Sequence, residues 1–179
     1  MGTDDRSAWV RDALERFEGP LVAYATSVLG DGHAARDVVQ DTFLRLVSAD
    51  RAHVEPILPR WLYAVCRHRA VDLIRRGRVA AKSNAESLDA LAPRHGSAPP
   101  EEAAAVKDDA SRVLAVLATL PPGHQEVLRL KLAHGLSYAD IAQVTGLSVS
   151  HVGVKLHEAM KSLRARLGVR PAAAPGAAR

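Results

Sequence analysis

The stretch from Leu136 to His157, LSYADIAQVTGLSVSHVGVKLH, restricts what this chain can fold into more than any other part of it. Ser137 is placed to cap a helix, and Asp140 three residues later completes a capping box. Ile141, Ala142 and Val144 give that helix an inward face. Gly146 supplies a residue free to take positive φ where the chain must turn. Ser148 or Ser150 caps a second helix, whose Val152 and Leu156 form an i, i+4 apolar pair. Two short helices about a tight turn make a helix-turn-helix. In that motif the second helix enters the major groove and its N-terminal residues meet base edges.

The remaining sequence also reads as helix. Strand-like alternation is almost absent, so the expected fold class is all-α. A chain of 179 residues suffices for one ordinary domain or two small ones. Trp9, Val10, Ala13, Leu14 and Phe17 lay an apolar stripe on a first helix. Gly19-Pro20 is expected to interrupt it, with Leu21 to Leu29 as a second piece. After a turn at Gly30-Asp31-Gly32, a helix runs from about His33 to Val47. Pro56 and Pro59 mark a loop. The next helix starts near Arg60 and is expected to end at Arg75 or Arg76, before Gly77. Residues 92–100 are linker-like in composition. The chain is therefore divided into a first domain at 1–91, a linker at 92–103, a second domain at 104–168, and a disordered Ala/Pro/Gly-rich tail at 169–179. In the second half a helix from Glu101 to about Thr119 is followed by one opened by Pro121-Pro122 and ended by Gly135, and then by the helix-turn-helix.

Charge is concentrated in one place. Arg60, Arg67, Arg69, Arg75, Arg76, Arg78 and Lys82 face only one acid, Asp72, with Trp61 and Tyr63 at the beginning of the helix. Arginines hold phosphates and aromatic faces stack on unpaired bases, so such a helix suits nucleic acid. The formal net charge of +4 points the same way. Cys66, the only cysteine, is expected to be a buried structural thiol. His124, His134 and His151 lie on separate elements and form no metal set. No nucleophile, phosphate-binding glycine loop or ligand cluster occurs at usable spacing, so the expectation is no enzyme, no metal and no cofactor. The acidic N-terminus lacks a signal peptide's pattern and no apolar run is long enough to span a bilayer, which leads us to expect a soluble, cytoplasmic protein without membrane insertion.

Two separated segments carry a family resemblance. One is Arg36 to Leu46 (RDVVQDTFLRL) followed by Pro59 to Arg76 (PRWLYAVCRHRAVDLIRR). The other is Leu120 to Leu130 with Gly135 to Ala142 and the helix beyond. Together they resemble the extracytoplasmic-function (ECF) class of bacterial RNA polymerase sigma factors, over nearly the whole chain outside the linker and tail. The resemblance implies a transcription initiation factor that binds core RNA polymerase, through its β′ clamp and β subunit, and directs it to promoter DNA. It also implies a partner anti-sigma factor.

The resemblance assigns roles to individual residues. Asp37, Gln40, Asp41 and Arg45 would supply polar contacts to the polymerase clamp, with Val39 and Leu44 adding apolar ones. Trp61, Tyr63, Arg67, His68, Arg75, Arg76 and Arg78 would open and read the −10 element. The loop from Arg78 to Asn84 would hold a flipped base. Ser148, Ser150, His151, Lys155, His157 and Arg164 would meet the −35 element. His68 stands where many relatives have asparagine. Gly153, Glu158 and Met160 stand where many have basic or polar residues. Two other classes fit part of the sequence: a polymerase-independent helix-turn-helix regulator, and a helical sigma-like protein that binds partners without reading DNA.

Overall fold

A computed structural model describes residues 3–83, 115–132 and 134–167, with the side chains of 3, 4 and 78–83 left out. The described residues are helical, without a strand. In chain order they are α1 (Thr3–Leu29), α2 (Gly32–Ser48), α3 (Arg51–Val54), a 3₁₀ turn (Glu55–Ile57), α4 (Leu58–Ser83), α5 (Pro122–Leu132), α6 (Tyr138–Thr145) and α7 (Val149–Leu167). The expected linker and tail lie outside the described residues, as does most of the helix expected from Glu101; a helical stretch at 115–118 is described.

The first half is a three-helix bundle in which α1, α2 and α4 pack on one another. Its core is Trp9, Ala13, Leu21, Tyr24, Val38, Val39, Phe43, Leu46, Leu62 and Cys66, with others. Gly19-Pro20 does not interrupt α1: Pro20 lies inside a continuous helix. An interior proline costs about 3 kcal/mol through a lost hydrogen bond and a clash. Just beyond it, Leu21 and Tyr24 are fully buried. Each is worth roughly 1.5–3 kcal/mol of apolar burial, enough to hold the helix through the break. Gly30, at φ 73°, ends α1, and Asp31 caps α2 by accepting from the His33 N–H at 2.8 Å. Nor do Pro56 and Pro59 make an open loop. Asp50 caps the single turn of α3, the 3₁₀ turn carries Pro56, and Pro59 sits in the first turn of α4, where its missing N–H is no loss.

The second half packs α5 and α6 against α7. Val127, Leu128, Leu130, Ile141, Val144, Val152, Leu156 and Leu163 fill its core. Gln125 is buried there, and its amide donates to the Leu120 carbonyl at 2.7 Å and the Ala118 carbonyl at 3.2 Å, tying the incoming chain to α5. The capping box of α6 is formed on both sides by Ser137 and Asp140. Gly146 takes φ 75° at the turn. Ser148 is the cap of α7, accepting from the His151 N–H at 3.2 Å. The two halves touch: α6 lies against α4.

Candidate nucleic-acid interface

Three surfaces carry the residues singled out in the sequence. The first is a shallow groove between α2 and α4, lined by Asp41, Leu44, Arg45, Ser48, Ala49, Trp61 and Arg69. Leu44 and Val47 are exposed at 60% and 48%, an apolar strip on an otherwise polar helix face. Asp37, Gln40 and Arg45 are exposed beside it. Asp41 is paired with Arg69 across the groove. Val39 is corrected: it is 3% exposed and belongs to the bundle core, so it offers nothing to a partner. It falls on the inward stripe of Ala35, Val38, Thr42, Phe43 and Leu46, about 140° around the helix from Leu44 at 100° per residue.

The second surface runs along α4. Trp61 opens onto the groove just described. Tyr63, two residues on, points the opposite way and is 1% exposed, so it is also corrected as a freely accessible stacking residue. Its hydroxyl lies 2.6 Å from His134 Nδ1, and the rings sit 4.4 Å apart. Arg67 donates through Nε to Glu126 at 2.8 Å. Tyr24 donates to the same carboxylate oxygen, also at 2.8 Å. Burial, followed by the Glu126 charge, raises the Tyr24 phenol well above its ordinary value, so it stays a donor. Arg60 approaches Asp140 at 3.6 Å. His68, Arg75 and Arg76 are exposed. The expected loop from Gly77 is also corrected: α4 continues to Ser83, and a side chain at Gly77 would meet nothing within 4 Å. The backbone at Arg78 continues the helix, while its side chain and Asn84 lie outside the described residues.

The third surface is the outer face of α7. Ser150, His151, Val154, His157, Glu158, Lys161 and Arg164 are exposed. Ser148 is exposed too, although its hydroxyl serves the cap. Lys155 turns sideways and lies over Gly123 at the start of α5. Glu158 pairs with His124 at 2.8 Å, a hydrogen bond that holds its carboxyl below the usual range. Val154, 53% exposed in the middle of this face, was not anticipated, although its place between His151 and His157 on the helix marks it.

The two halves of the chain match two family models in order along the chain. The model of sigma-70 region 2 matches residues 13–79, and that of sigma-70 region 4 matches residues 110–163. ECF RNA polymerase sigma factor SigD of Mycobacterium tuberculosis (strain ATCC 25618 / H37Rv) is 30% identical over 168 residues, covering 89% of this chain and 77% of the relative. This chain belongs to the ECF sigma factors. SigL of the same strain is also 30% identical to this sigma factor, covering 90% of each chain. EcfG of Rhodopseudomonas palustris (strain TIE-1) is 30% identical, covering 89% of this chain and 86% of the relative. Among solved structures, the sigma factor RpoE from Bartonella quintana, in complex with the anti-sigma factor NepR, has the same fold. Its TM-score is 0.60 at 23% identity, over 90% of this chain and 98% of that one.

Of the residues assigned to the polymerase, Asp41, Leu44 and Arg45 line one groove, Asp37 and Gln40 are exposed on the same helix, and Val39 is buried. The outer α7 residues share one face, whereas Tyr63 and Arg67, assigned to the −10 element, are engaged by the second half. Glu126, His134 and Tyr24, which engage Arg67 and Tyr63, were not foreseen, and no local pattern marks them. Tyr24 and Glu126 are 102 positions apart, and only the packing of the two halves joins them. Among the described residues of this sigma factor, no helix is long and apolar enough to cross a membrane.

Proposed function

We propose that this ECF sigma factor is a transcription initiation factor whose two halves divide the work on promoter DNA. Residues 1–91 dock on the β′ clamp of core RNA polymerase and open the −10 element, and residues 104–168 hold the −35 element as duplex. The observation that carries this reading is one chain with an arginine-rich α4, its Arg75 and Arg76 exposed, and a capped helix-turn-helix. A duplex reader alone has no need of the first. Extruding a base from a duplex costs a few kcal/mol. Stacking returns roughly 1–3 kcal/mol per base and arginine–phosphate contacts add to it.

In this reading Leu44, with Asp37, Gln40, Asp41 and Arg45, forms the polymerase contact. Trp61, Arg67, His68, Arg75, Arg76 and Arg78 act at the −10 element, and Tyr63 joins them once uncovered. Ser150, His151, His157 and Arg164 face the −35 element, with Val154 placed to meet thymine methyl groups. Lys155 and Ser148 flank that contact. Catalysis belongs to the polymerase and the site of action is the cytoplasm. An anti-sigma protein covering the α2–α4 groove would hold the factor inactive.

Transcription by purified core polymerase over a promoter library tests the assignment. Addition of this chain should start RNA at defined positions downstream of a shared −35/−10 pair. Failure to start at any template from its own genome would overturn it. Sequence-specific footprints from the chain without polymerase would favour a polymerase-independent regulator instead.

A further inference from the structure

One ion pair stands inside the groove that the proposed function turns toward polymerase, and only one of its two members belongs to that assignment. Arg69, on α4, donates through Nη2 to Asp41 Oδ2, on α2. Both line the groove, together with Leu44, Arg45 and Trp61 among others. Asp41 is the one acceptor of Arg69 among the described residues, and Arg69 Nε is buried without a partner. Arg45 follows Asp41 by four positions and lies in the same groove. The carboxylate is nevertheless taken by α4 and not by its own helix. The bond therefore crosses from one wall of the groove to the other.

In the free chain this pair stands partly in water. Arg69 keeps 29% of its side-chain surface exposed and Asp41 keeps 44%. A pair so placed contributes little to folding, because solvent screens both charges. Its setting changes when a partner arrives. Leu44 is three positions from Asp41, on the same groove wall, and is 60% exposed. A surface seated on Leu44 also covers the carboxylate beside it and removes its water. A covered charge is tolerated when its counter-ion is covered with it, and is costly when it is left alone. Arg69 provides that counter-ion from within the chain.

We propose that Asp41 and Arg69 dock on polymerase as a neutral pair, with Arg69 a positioning residue that fixes the Asp41 carboxylate in the groove and offsets its charge once the partner covers it. Given the α2–α4 groove as the polymerase contact, on which this rests, docking requires at Asp41 not a spare negative charge but a matched one. Leu44, with the exposed Asp37, Gln40 and Arg45, remains to make the direct contacts.

The test titrates full-length variants onto immobilised core RNA polymerase and follows their urea unfolding in parallel. Arg69→Met keeps a stem of similar length without the charge and should weaken docking by about tenfold or more. Asp41→Asn, which leaves Arg69 without its counter-charge, should weaken it as well. Joining the two changes in one chain removes both charges and should bring affinity back to within about threefold of wild type. Arg69→Lys, which returns a positive charge, should recover most of the Arg69→Met loss. All four chains should unfold near the wild-type urea concentration.

Docking by Arg69→Met that matches wild type would overturn the neutral pair. So would a double variant no tighter than either single one, because polymerase itself would then be taking the Asp41 charge. A urea midpoint that falls in step with affinity would also overturn it, since the pair would then serve the fold alone. Leu44→Ala separates the two levels. If it docks as wild type does, the groove is not the contact and both readings fall. If it docks weakly while Arg69→Met docks normally, the groove stands and only the role of Arg69 falls.

Discussion

Val39 and Leu44 stand five positions apart on one helix and were given the same role by resemblance, yet they face opposite environments. Val39 is enclosed in the bundle and Leu44 is 60% exposed. Val39→Ala should lower unfolding free energy by about 2 kcal/mol, from lost transfer energy and a residual cavity. Leu44→Ala should leave stability within about 0.5 kcal/mol and weaken retention on core polymerase. Urea denaturation and co-purification separate the two. The spacing of Ala35, Val38, Val39, Thr42, Phe43 and Leu46 leaves Leu44 outside the inward stripe, but the resemblance, not that spacing, decided the reading of Val39, and it was wrong there. Cys66, by contrast, follows its sequence reading as a structural thiol. It is fully buried, and burial pushes its thiol up to about 12. At pH 8 a disulfide reagent such as Ellman's should react with it only after denaturation. Rapid reaction in the native chain would contradict its enclosure.

Helix boundaries were less legible than helix identity. The caps at Ser137 and Ser148 were readable, since the hydrogen bond is local, whereas Asp31 reads as a turn residue and its cap, like that of Asp50, is seen only in the structure. Gly19-Pro20 misled because local propensity was set against the burial of Leu21 and Tyr24, and Gly77 because a glycine inside a helix costs only about 1 kcal/mol and does not end it. Gly77 carries no positive φ and has open space where a side chain would go. Gly77→Ala should therefore stabilise this part of α4 by about 0.5–1 kcal/mol. Slower amide hydrogen exchange around the site would report it, whereas faster exchange would mean that the chain leaves the helix there. Gly153 in α7 follows the same reasoning. An added methyl would meet Tyr138 at an ordinary 3.9 Å, so Gly153→Ala should raise the melting temperature of the helix-turn-helix half.

For the whole molecule, the two-domain division could be read from composition, but the seam between the halves could not. Glu126, His134 and Asp140 lie in a different half from the residues they meet, and pairing across such distances has no periodic signature. The seam has an acid response whose sign follows from His134. Burial lowers its pKa from the ordinary 6.5. The folded form therefore binds this proton less readily than the unfolded chain. The stability tied to the neutral ring is fully present above about pH 6.5 and is lost as pH falls below that value. In the protonated ring both nitrogens are donors, so Nδ1 can then only donate to the Tyr63 hydroxyl. Unfolding free energy measured in urea across this range should fall on acidification, and His134→Gln should flatten the response.

Two of the three tyrosines in the chain, Tyr24 and Tyr63, meet edge to face at 5.3 Å in the seam. Both rings sit in a dry setting, so loss of this packing carries them into solvent together. The protein thus carries its own optical gauge. Near-ultraviolet difference absorption of the phenols, or their nitration by tetranitromethane, should report unfolding around them without a single engineered probe.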